Sequence, residues 1–126
     1  MNSRFVYARS AGLFWLGLCS VCEAAPVELQ LLGRSQREVP ALTLSEGDRH
    51  WLRDKGVLIL GTSSPDYAPF DISAGSDYFE GLTADYASLV SQLLQVEIKV
   101  RRYDTRAEVI EALKNHQVDL LGTANA

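Results

Sequence analysis

Three side chains suited to holding a small molecule lie within one short loop of the sequence. Asp66 offers a carboxylate, and Tyr67 and Phe70 offer two flat aromatic faces that are close enough in the chain to line one pocket. Pro65 and Pro69 stiffen the backbone of the same loop. These residue types predict a loop that binds a ligand.

Each of the three side chains also has a structural interpretation. Tyr67 and Phe70 could be aromatics of the core or of its rim, but a site role is favoured because they follow the end of a strand. A proline-flanked aspartate is often a turn residue, so for Asp66 the structural and the ligand-binding interpretations both stay open.

The sequence contains no recognisable catalytic or metal-binding arrangement. No nucleophile is paired with a base, and no two carboxylates are spaced to share an acid–base task. His50 and His116 are isolated and are interpreted as surface residues. Zinc-ligand spacings, phosphate-binding loops and dinucleotide glycine motifs do not occur. We therefore expect no cofactor and no metal, and binding is favoured over catalysis.

Three strands are predicted around this loop. Val57–Leu60 is a continuous apolar run, which is typical of a strand covered on both faces. Glu97–Arg102 alternates apolar and charged residues, which predicts a half-exposed strand at an edge of the sheet. Val118–Leu121 predicts a third strand, in which Asp119 either has a partner or faces solvent.

A helix is predicted between each pair of strands. Thr83 is the expected cap of the first helix, and Asp85 near its start interacts favourably with the helix dipole. Thr105 and Glu108 fit a capping box at the start of the second helix. The face of the first helix that is expected to pack on the sheet consists of Leu82, Tyr86, Leu89, Val90, Leu93 and Leu94.

This order of elements predicts an α/β fold with a three-layer parallel sheet, β-α-β-α-β. The exposed second strand is expected at an edge, which gives the spatial order second, first, third. The first and third strands then lie side by side while their connections go to opposite faces, so a ligand crevice opens at their C-terminal ends. The loops at this crevice are Ser63–Phe70 and Gly122–Asn125.

The first residues of the chain are predicted to be an export signal. Arg4 and Arg9 precede the apolar stretch Ala11–Val21, and small residues around position 24 favour cleavage after Ala24. The apolar stretch is much shorter than the ~20 residues that a membrane-spanning helix needs. Residues 1–24 are therefore interpreted as a cleaved signal peptide.

A leader is predicted between the signal and the domain. It covers residues 25–44, and its strand-like segment Val27–Leu31 is expected to pack against a part outside this chain. The domain itself is expected over residues 45–126, beginning with a short surface helix that Ser45 caps and Gly56 ends.

Several stretches of the chain resemble the first lobe of bacterial extracellular solute-binding proteins of family 3, which have the periplasmic-binding-protein type II or Venus-flytrap fold. The stretches are Gly61–Ile72, Phe79–Tyr86 and Val118–Asn125. More narrowly, Leu29–Ser35 and Leu44–Gly56 are similar to the leader and first helix in the periplasmic domains of Bvg-type hybrid sensor histidine kinases.

The resemblance implies a two-lobed clamp that closes on a small solute of the amino-acid or small-carboxylate class. The aromatic faces would pack on the solute, the aspartate would meet an ammonium group, and the segment after the third strand would hydrogen-bond a carboxylate. The residues that the resemblance assigns to the ligand are Asp66, Tyr67, Phe70, Thr123, Ala124 and Asn125.

The function implied is that of the periplasmic input domain of a two-component sensor kinase. Alternatives are the solute receptor of an amino-acid-type ABC transporter and a fragment of a periplasmic dehydratase or lytic transglycosylase. The family's usual arginine clamp lies beyond Ala126, so we expect this to be the front fragment of a longer protein with a second lobe. A parent anchored in the inner membrane and a homodimer of the full-length sensor fit this interpretation. The net charge of −4 argues against a nucleic-acid partner.

Overall fold

The computed structural model describes residues 24–35, 37–73, 75 and 77–122. Of the predicted signal peptide, only Ala24 is among the described residues. Thr123, Ala124 and Asn125 of the predicted site also lie outside the described residues. The elements in chain order are β1 (Val27–Leu31), α1 (Glu46–Lys55), β2 (Val57–Ser63), β3 (Tyr78–Phe79), α2 (Leu82–Leu94), β4 (Glu97–Tyr103), α3 (Arg106–Lys114) and β5 (Leu120–Leu121).

The strands form one sheet in the order β3-β1-β4-β2-β5. β2 pairs in parallel with β4 along its whole length and with β5 at Leu60 and Gly61. Leu58 and Leu60 belong to the core beneath α2, whereas Ile59 packs in the cluster beneath α3. Because alternate residues of a strand face opposite sides, the two helices cover opposite faces of the sheet. The predicted three-layer α/β lobe and the order β4-β2-β5 are confirmed.

The sheet is mixed rather than wholly parallel, because β1 joins it. β1 pairs antiparallel with β4, with Leu29 opposite Val100, and parallel with β3, with Gln30 opposite Tyr78. The prediction that Glu97–Arg102 lies at an edge is therefore wrong, and the leader strand pairs within the chain. The alternation of apolar and charged residues in β4 shows that one face of the strand is buried, with residues such as Val100, and that the other face is exposed to solvent. It carries no information about the strand's position in the sheet.

Half of the apolar stripe of α2 is exposed rather than packed on the sheet, contrary to the prediction, whereas Leu94 packs against the core as predicted. The residues of this helix that are buried against the sheet are Ala84 and Ala87, while Leu82, Tyr86 and Val90 are exposed. Small residues let the helix lie close to its neighbours, and a Cβ added at Gly33 of the leader would overlap Ser88. Periodicity identifies a stripe but not the side on which it lies.

The other two helices begin as the sequence predicts. The Ser45 hydroxyl accepts a hydrogen bond from the Asp48 amide at 3.1 Å, and α1 ends at Lys55 before Gly56. At α3 the capping box is complete, since Glu108 accepts from the Thr105 amide at 3.0 Å and Thr105 accepts from the Glu108 amide at 3.3 Å. No helix within the described ranges combines the length and apolarity needed to cross a bilayer.

Asp119 has the partner that its half-buried position requires. Its carboxylate accepts a hydrogen bond from the Ile59 amide at 2.9 Å and forms an ion pair with Lys55 at 2.8 Å. Desolvation by burial acts to raise the pKa of Asp119, but the hydrogen bonds from Lys55 and Ile59 and the Lys55 charge outweigh it and lower the pKa below its ordinary value. Asp119 thus joins the end of α1, β2 and the start of β5.

The stability that Asp119 provides should depend on pH in a defined direction. Since its folded-state pKa lies below the ordinary value of 3.8, the contribution is complete above that pH and is lost as the pH falls through the folded-state pKa. We expect Asp119→Asn to lower the free energy of unfolding by about 1–3 kcal/mol at pH 7, because the Ile59 amide and the Lys55 ammonium lose a charged partner. In urea titrations the difference from the unmodified chain should shrink at pH 3.

Asp54 provides the control for this variant. It is exposed and pairs only with a neighbour on its own helix, His50, at 2.8 Å. Asp54→Asn should therefore change the free energy of unfolding by less than about 0.5 kcal/mol. Equal effects of the two variants at pH 7 would contradict the role assigned to Asp119.

Candidate functional site

The loop after β2 forms a small aromatic platform at the C-terminal end of the strand. The amides of Phe70 and Asp71 donate to the Tyr67 carbonyl at 2.8 and 3.0 Å, and the Tyr67 amide donates to the Asp71 carbonyl at 2.9 Å. This tight turn stacks the two rings, with centroids 5.5 Å apart and planes inclined by 14°. Tyr67 is 55% exposed and Phe70 is 41% exposed, so neither is a core residue and both offer surface to a ligand.

The platform is attached directly to the start of α2. The amides of Leu82 and Thr83 donate to the carbonyls of Pro69 and Phe70 at 3.0 and 3.1 Å. Helix N-termini leave such amides without acceptors within the helix, and here the loop supplies them. Gly81, not Thr83, is the N-cap residue, and it makes no side-chain cap. The predicted cap is wrong because the loop carbonyls occupy the positions that a capping side chain would take.

Gly81 makes this contact possible. Its φ of 105° belongs to the region that side-chain-bearing residues avoid, and a Cβ at this position would come within 2.8 Å of the Pro69 carbonyl oxygen and closer still to that of Phe70. Gly81 was not singled out from the sequence, although a glycine just before a predicted helix is a signal that could have been used.

Asp66 holds the two ends of the loop together. Its carboxylate oxygens accept hydrogen bonds from the Ser73 amide at 2.7 Å and from the Ser73 hydroxyl at 2.9 Å. This geometry is that of a turn-stabilising aspartate. It leaves the ligand role of Asp66 as a prediction, since a carboxylate oxygen can accept more than one hydrogen bond.

The end of β5 meets the same region. The Gly122 amide faces the Gly61 carbonyl at 3.4 Å, and a Cβ on Gly122 would lie 2.7 Å from the Thr83 methyl and 3.6 Å from a carboxylate oxygen of Asp71. The loop, the first turn of α2 and the end of β5 therefore converge, as the predicted crevice requires. Asp71, only 6% exposed, is the residue at this junction that sequence reasoning missed.

The leader is fastened to α2 close to the crevice. The Arg34 amide donates to the Asp85 carboxylate at 2.6 Å, and the Arg34 guanidinium forms an ion pair with Glu80. This contact gives Asp85 a structural role in the first turn of the helix. The leader motif therefore lies beside the predicted site.

A cavity of about 780 Å³ lies at the end of the sheet opposite the predicted crevice, between the leader near Val39 and Leu44, α1 and the last turn of α2. Within the described ranges no group of three or more His, Cys, Asp and Glu side chains is placed to hold a metal ion. The surface at the crevice suits one half of a clamp.

The fold and the site together define a lobe of the periplasmic-binding type. The family of bacterial extracellular solute-binding proteins, family 3, matches residues 58–125, and the chain belongs to this family.

The relatives within the family are sensor proteins. The chain is 41% identical over 113 residues to virulence sensor protein BvgS of Bordetella parapertussis, which is 90% of this chain and 9% of that protein. It is 43% identical over 101 residues to virulence sensor protein BvgS of Bordetella pertussis, which is 80% of this chain and 8% of that protein. The chain thus spans about a tenth of the length of these relatives.

Solved structures of BvgS periplasmic domains also resemble the chain. The chain matches a crystal structure of the B. pertussis BvgS periplasmic domain with a TM-score of 0.68 and 41% identity, covering 75% of this chain and 18% of that one. A crystal structure of the B. pertussis BvgS periplasmic VFT2 domain matches with a TM-score of 0.58 and 22% identity, covering 64% of this chain and 34% of that one. The second likeness shows the fold alone.

Removing the Asp66 carboxylate should destabilise the chain whether or not a ligand is present. Ser73 is buried, so Asp66→Ala leaves its amide and hydroxyl without these acceptors, and we expect the free energy of unfolding to fall by about 1–3 kcal/mol. Asp77→Ala, at an exposed position of the following stretch, is the matched control and should have almost no effect. Urea titration of the two variants without added solute measures the difference. Equal stabilities would mean that the hydrogen bonds to Ser73 contribute nothing.

Proposed function

We propose that the chain is the solute-facing first lobe of a periplasmic clamp, and that the clamp is the input domain of a membrane-bound two-component sensor. The observation that carries the proposal is the exposed Tyr67–Phe70 stack, which is fixed to the start of α2 at the C-terminal end of β2. Open α/β sheets bind ligands at such strand ends. Similarity to the BvgS sensors over 90% and 80% of the chain supports the sensor over a transporter receptor.

The solute that suits this wall is an amino acid or a small carboxylate. The two rings offer flat apolar contact to its body, and Asp66 keeps a negative charge near the platform that favours an ammonium group. Thr123, Ala124 and Asn125 follow β5 and are proposed to donate hydrogen bonds to a carboxylate. A second lobe of the same protein is proposed to supply the opposite wall.

The proposed location is the periplasm. The solved structure that is 41% identical is a periplasmic domain, and residues 1–24 have the sequence features of an export signal. Residues 25–44 would then be the first part of the exported protein, and the full-length parent would be anchored in the inner membrane.

The coding sequence downstream of codon 126 separates the alternatives. A second lobe followed by a membrane helix and a histidine-kinase signature is the expected result. A stand-alone binding protein beside a permease gene would instead identify a transporter receptor, and acid–base residues of a dehydratase or transglycosylase in the continuation would identify an enzyme.

Because the chain offers one wall of the cleft, it should bind solutes weakly by itself. We expect titration calorimetry with amino acids and small carboxylates to give dissociation constants weaker than about 1 μM, the value that corresponds to roughly −8 kcal/mol. A tighter constant for any solute in the panel would show that one lobe is sufficient.

In the complete protein the aromatic platform should matter for binding and not for stability. We expect Tyr67→Ala and Phe70→Ala to weaken solute binding about fivefold or more, since each removes a ring face worth roughly 1 kcal/mol or more at a binding surface. Trp51→Ala is the matched control, because Trp51 is an aromatic on α1 that is as exposed as Tyr67. The solute-dependent rise in Tm measures binding, and the Tm without solute measures stability. A large loss of the latter would make the two rings structural.

A further inference from the structure

Arg102 is a partly buried arginine near the end of β4. None of the ion pairs between described residues includes it, and its buried Nε atom has no hydrogen-bond acceptor among them. The guanidinium donates to the Ser64 hydroxyl at 2.6 Å. A charge is costly to remove from water unless it is paired. The guanidinium therefore suits an anion that the described residues do not supply.

Strand pairing places Arg102 beside the crevice. β4 runs parallel to β2, with Arg102 next to Thr62, so the two strands end at the same edge of the sheet. The Ser64 amide donates to the Tyr103 carbonyl at 3.1 Å, which ties the start of the loop after β2 to the end of β4. The same loop carries Tyr67 of the aromatic platform. The guanidinium thus lies at the base of the platform loop.

Arg102 is also on the face of the sheet that α2 covers. Alternate residues of a strand share a face, and Val100 belongs to the core cluster beneath α2. The platform is attached to the first turn of the same helix through the amides of Leu82 and Thr83. The guanidinium and the platform therefore lie at the same end of the sheet and on the side of the same helix.

The neighbouring arginine of β4 has the partners that Arg102 lacks. Arg101 lies on the opposite face, where it pairs with Glu28 at 3.3 Å and donates to the Gln117 carbonyl at 3.1 Å. Within the described ranges, Arg102 has neither a carboxylate nor a carbonyl in these roles. The two guanidinium groups differ because one faces other parts of the chain and the other lies at the edge where the crevice opens.

We infer that Arg102 binds the carboxylate of the solute and so makes the crevice selective for acids. A guanidinium presents its N–H donors as a fork that matches a carboxylate, and the Ser64 hydroxyl can donate its own proton to the same anion. The platform then contacts the body of the solute. A few polar groups beside apolar and aromatic faces are typical of a site for a small molecule.

This role rests on the proposed function, which places a solute on the platform. The solute is the expected source of the carboxylate, in preference to an acidic side chain of the second lobe. Ser64 fixes the guanidinium at the base of a loop whose two rings are exposed, and the chain belongs to a family of solute-binding proteins.

Nuclear magnetic resonance of the arginine Nε–Hε groups tests this role on the chain itself, with Arg102→Lys to assign the signal. The probes are acetate, succinate, benzoate and glycine, each compared with its amide. We expect at least one acid to shift the Arg102 signal at a concentration about fivefold or more below that needed for Arg53, an exposed arginine on α1. Equal concentrations for the two arginines with every acid, or equal effects of acid and amide, would overturn the inference.

The complete protein provides the second test. We expect Arg102→Gln to weaken binding of a carboxylate solute about tenfold or more, because a charged hydrogen-bond donor is lost. Arg102→Lys keeps the charge but not the fork, so it should lose less. Arg101→Gln is the matched control and should leave the solute-dependent rise in Tm unchanged. If Arg102→Gln lowers the Tm without solute but keeps that rise, Arg102 pairs with another part of the protein and the inference is wrong.

The role of Arg102 and the proposed function can fail separately. Weaker binding in Tyr67→Ala with unchanged binding in Arg102→Gln would overturn the role of Arg102 and leave the proposed function standing. A complete protein whose Tm rises with no acid, amino acid or amine would contradict the proposed function, and the resonance titration would still decide whether Arg102 holds a carboxylate.

Discussion

The hydrogen bonds between the first amides of α2 and the carbonyls of Pro69 and Phe70 determine where the crevice lies. A helix start needs acceptors for these amides, and most helices obtain them from a capping side chain. In this chain the loop after β2 takes that role, with Gly81 leaving the space for it. Displacing the loop would leave helix amides without acceptors, so the aromatic platform is held in place by the helix itself.

The same helix connects three regions of the molecule. Its first turn supports the platform, its Asp85 receives the leader through Arg34, and its outer face carries exposed apolar side chains. Since a helix of this length behaves as one body, a displacement at its start is transmitted along it.

Local signals predicted the starts of two of the three helices correctly, whereas the cap predicted for α2 was wrong. Ser45 and Thr105 begin their helices as expected, because a capping bond involves residues only three positions apart. The order β4-β2-β5 was predicted correctly, although the premise that β4 lies at an edge of the sheet was wrong. Features that depend on contacts between residues far apart in the chain could not be predicted from local signals. The stripe of α2 is plain in the sequence, but only packing decides that Ala84 faces the sheet and Tyr86 does not.

The residues of the candidate site were predictable only where residue type and position after a strand were sufficient. The exposed pair Tyr67 and Phe70 was found from residue type and its position after a strand. Asp71 and Gly81 were missed, since their importance comes from contacts that only the fold creates, Gly81 with the carbonyls of Pro69 and Phe70 and Asp71 with the end of β5. The assignment of Asp66 could not be settled from its proline-flanked context, because the decisive fact is the position of Ser73.

The insertion of β1 between β3 and β4 has a consequence for the order in which the molecule can be assembled. Glu28 and Arg101, which are opposite each other in the sheet and linked at 3.3 Å, are 73 positions apart in the chain. The segment that is synthesised first is thus among the last to find its partner, and such non-local pairing is slow to form. β1 can therefore complete its antiparallel pairing only after β4 is available.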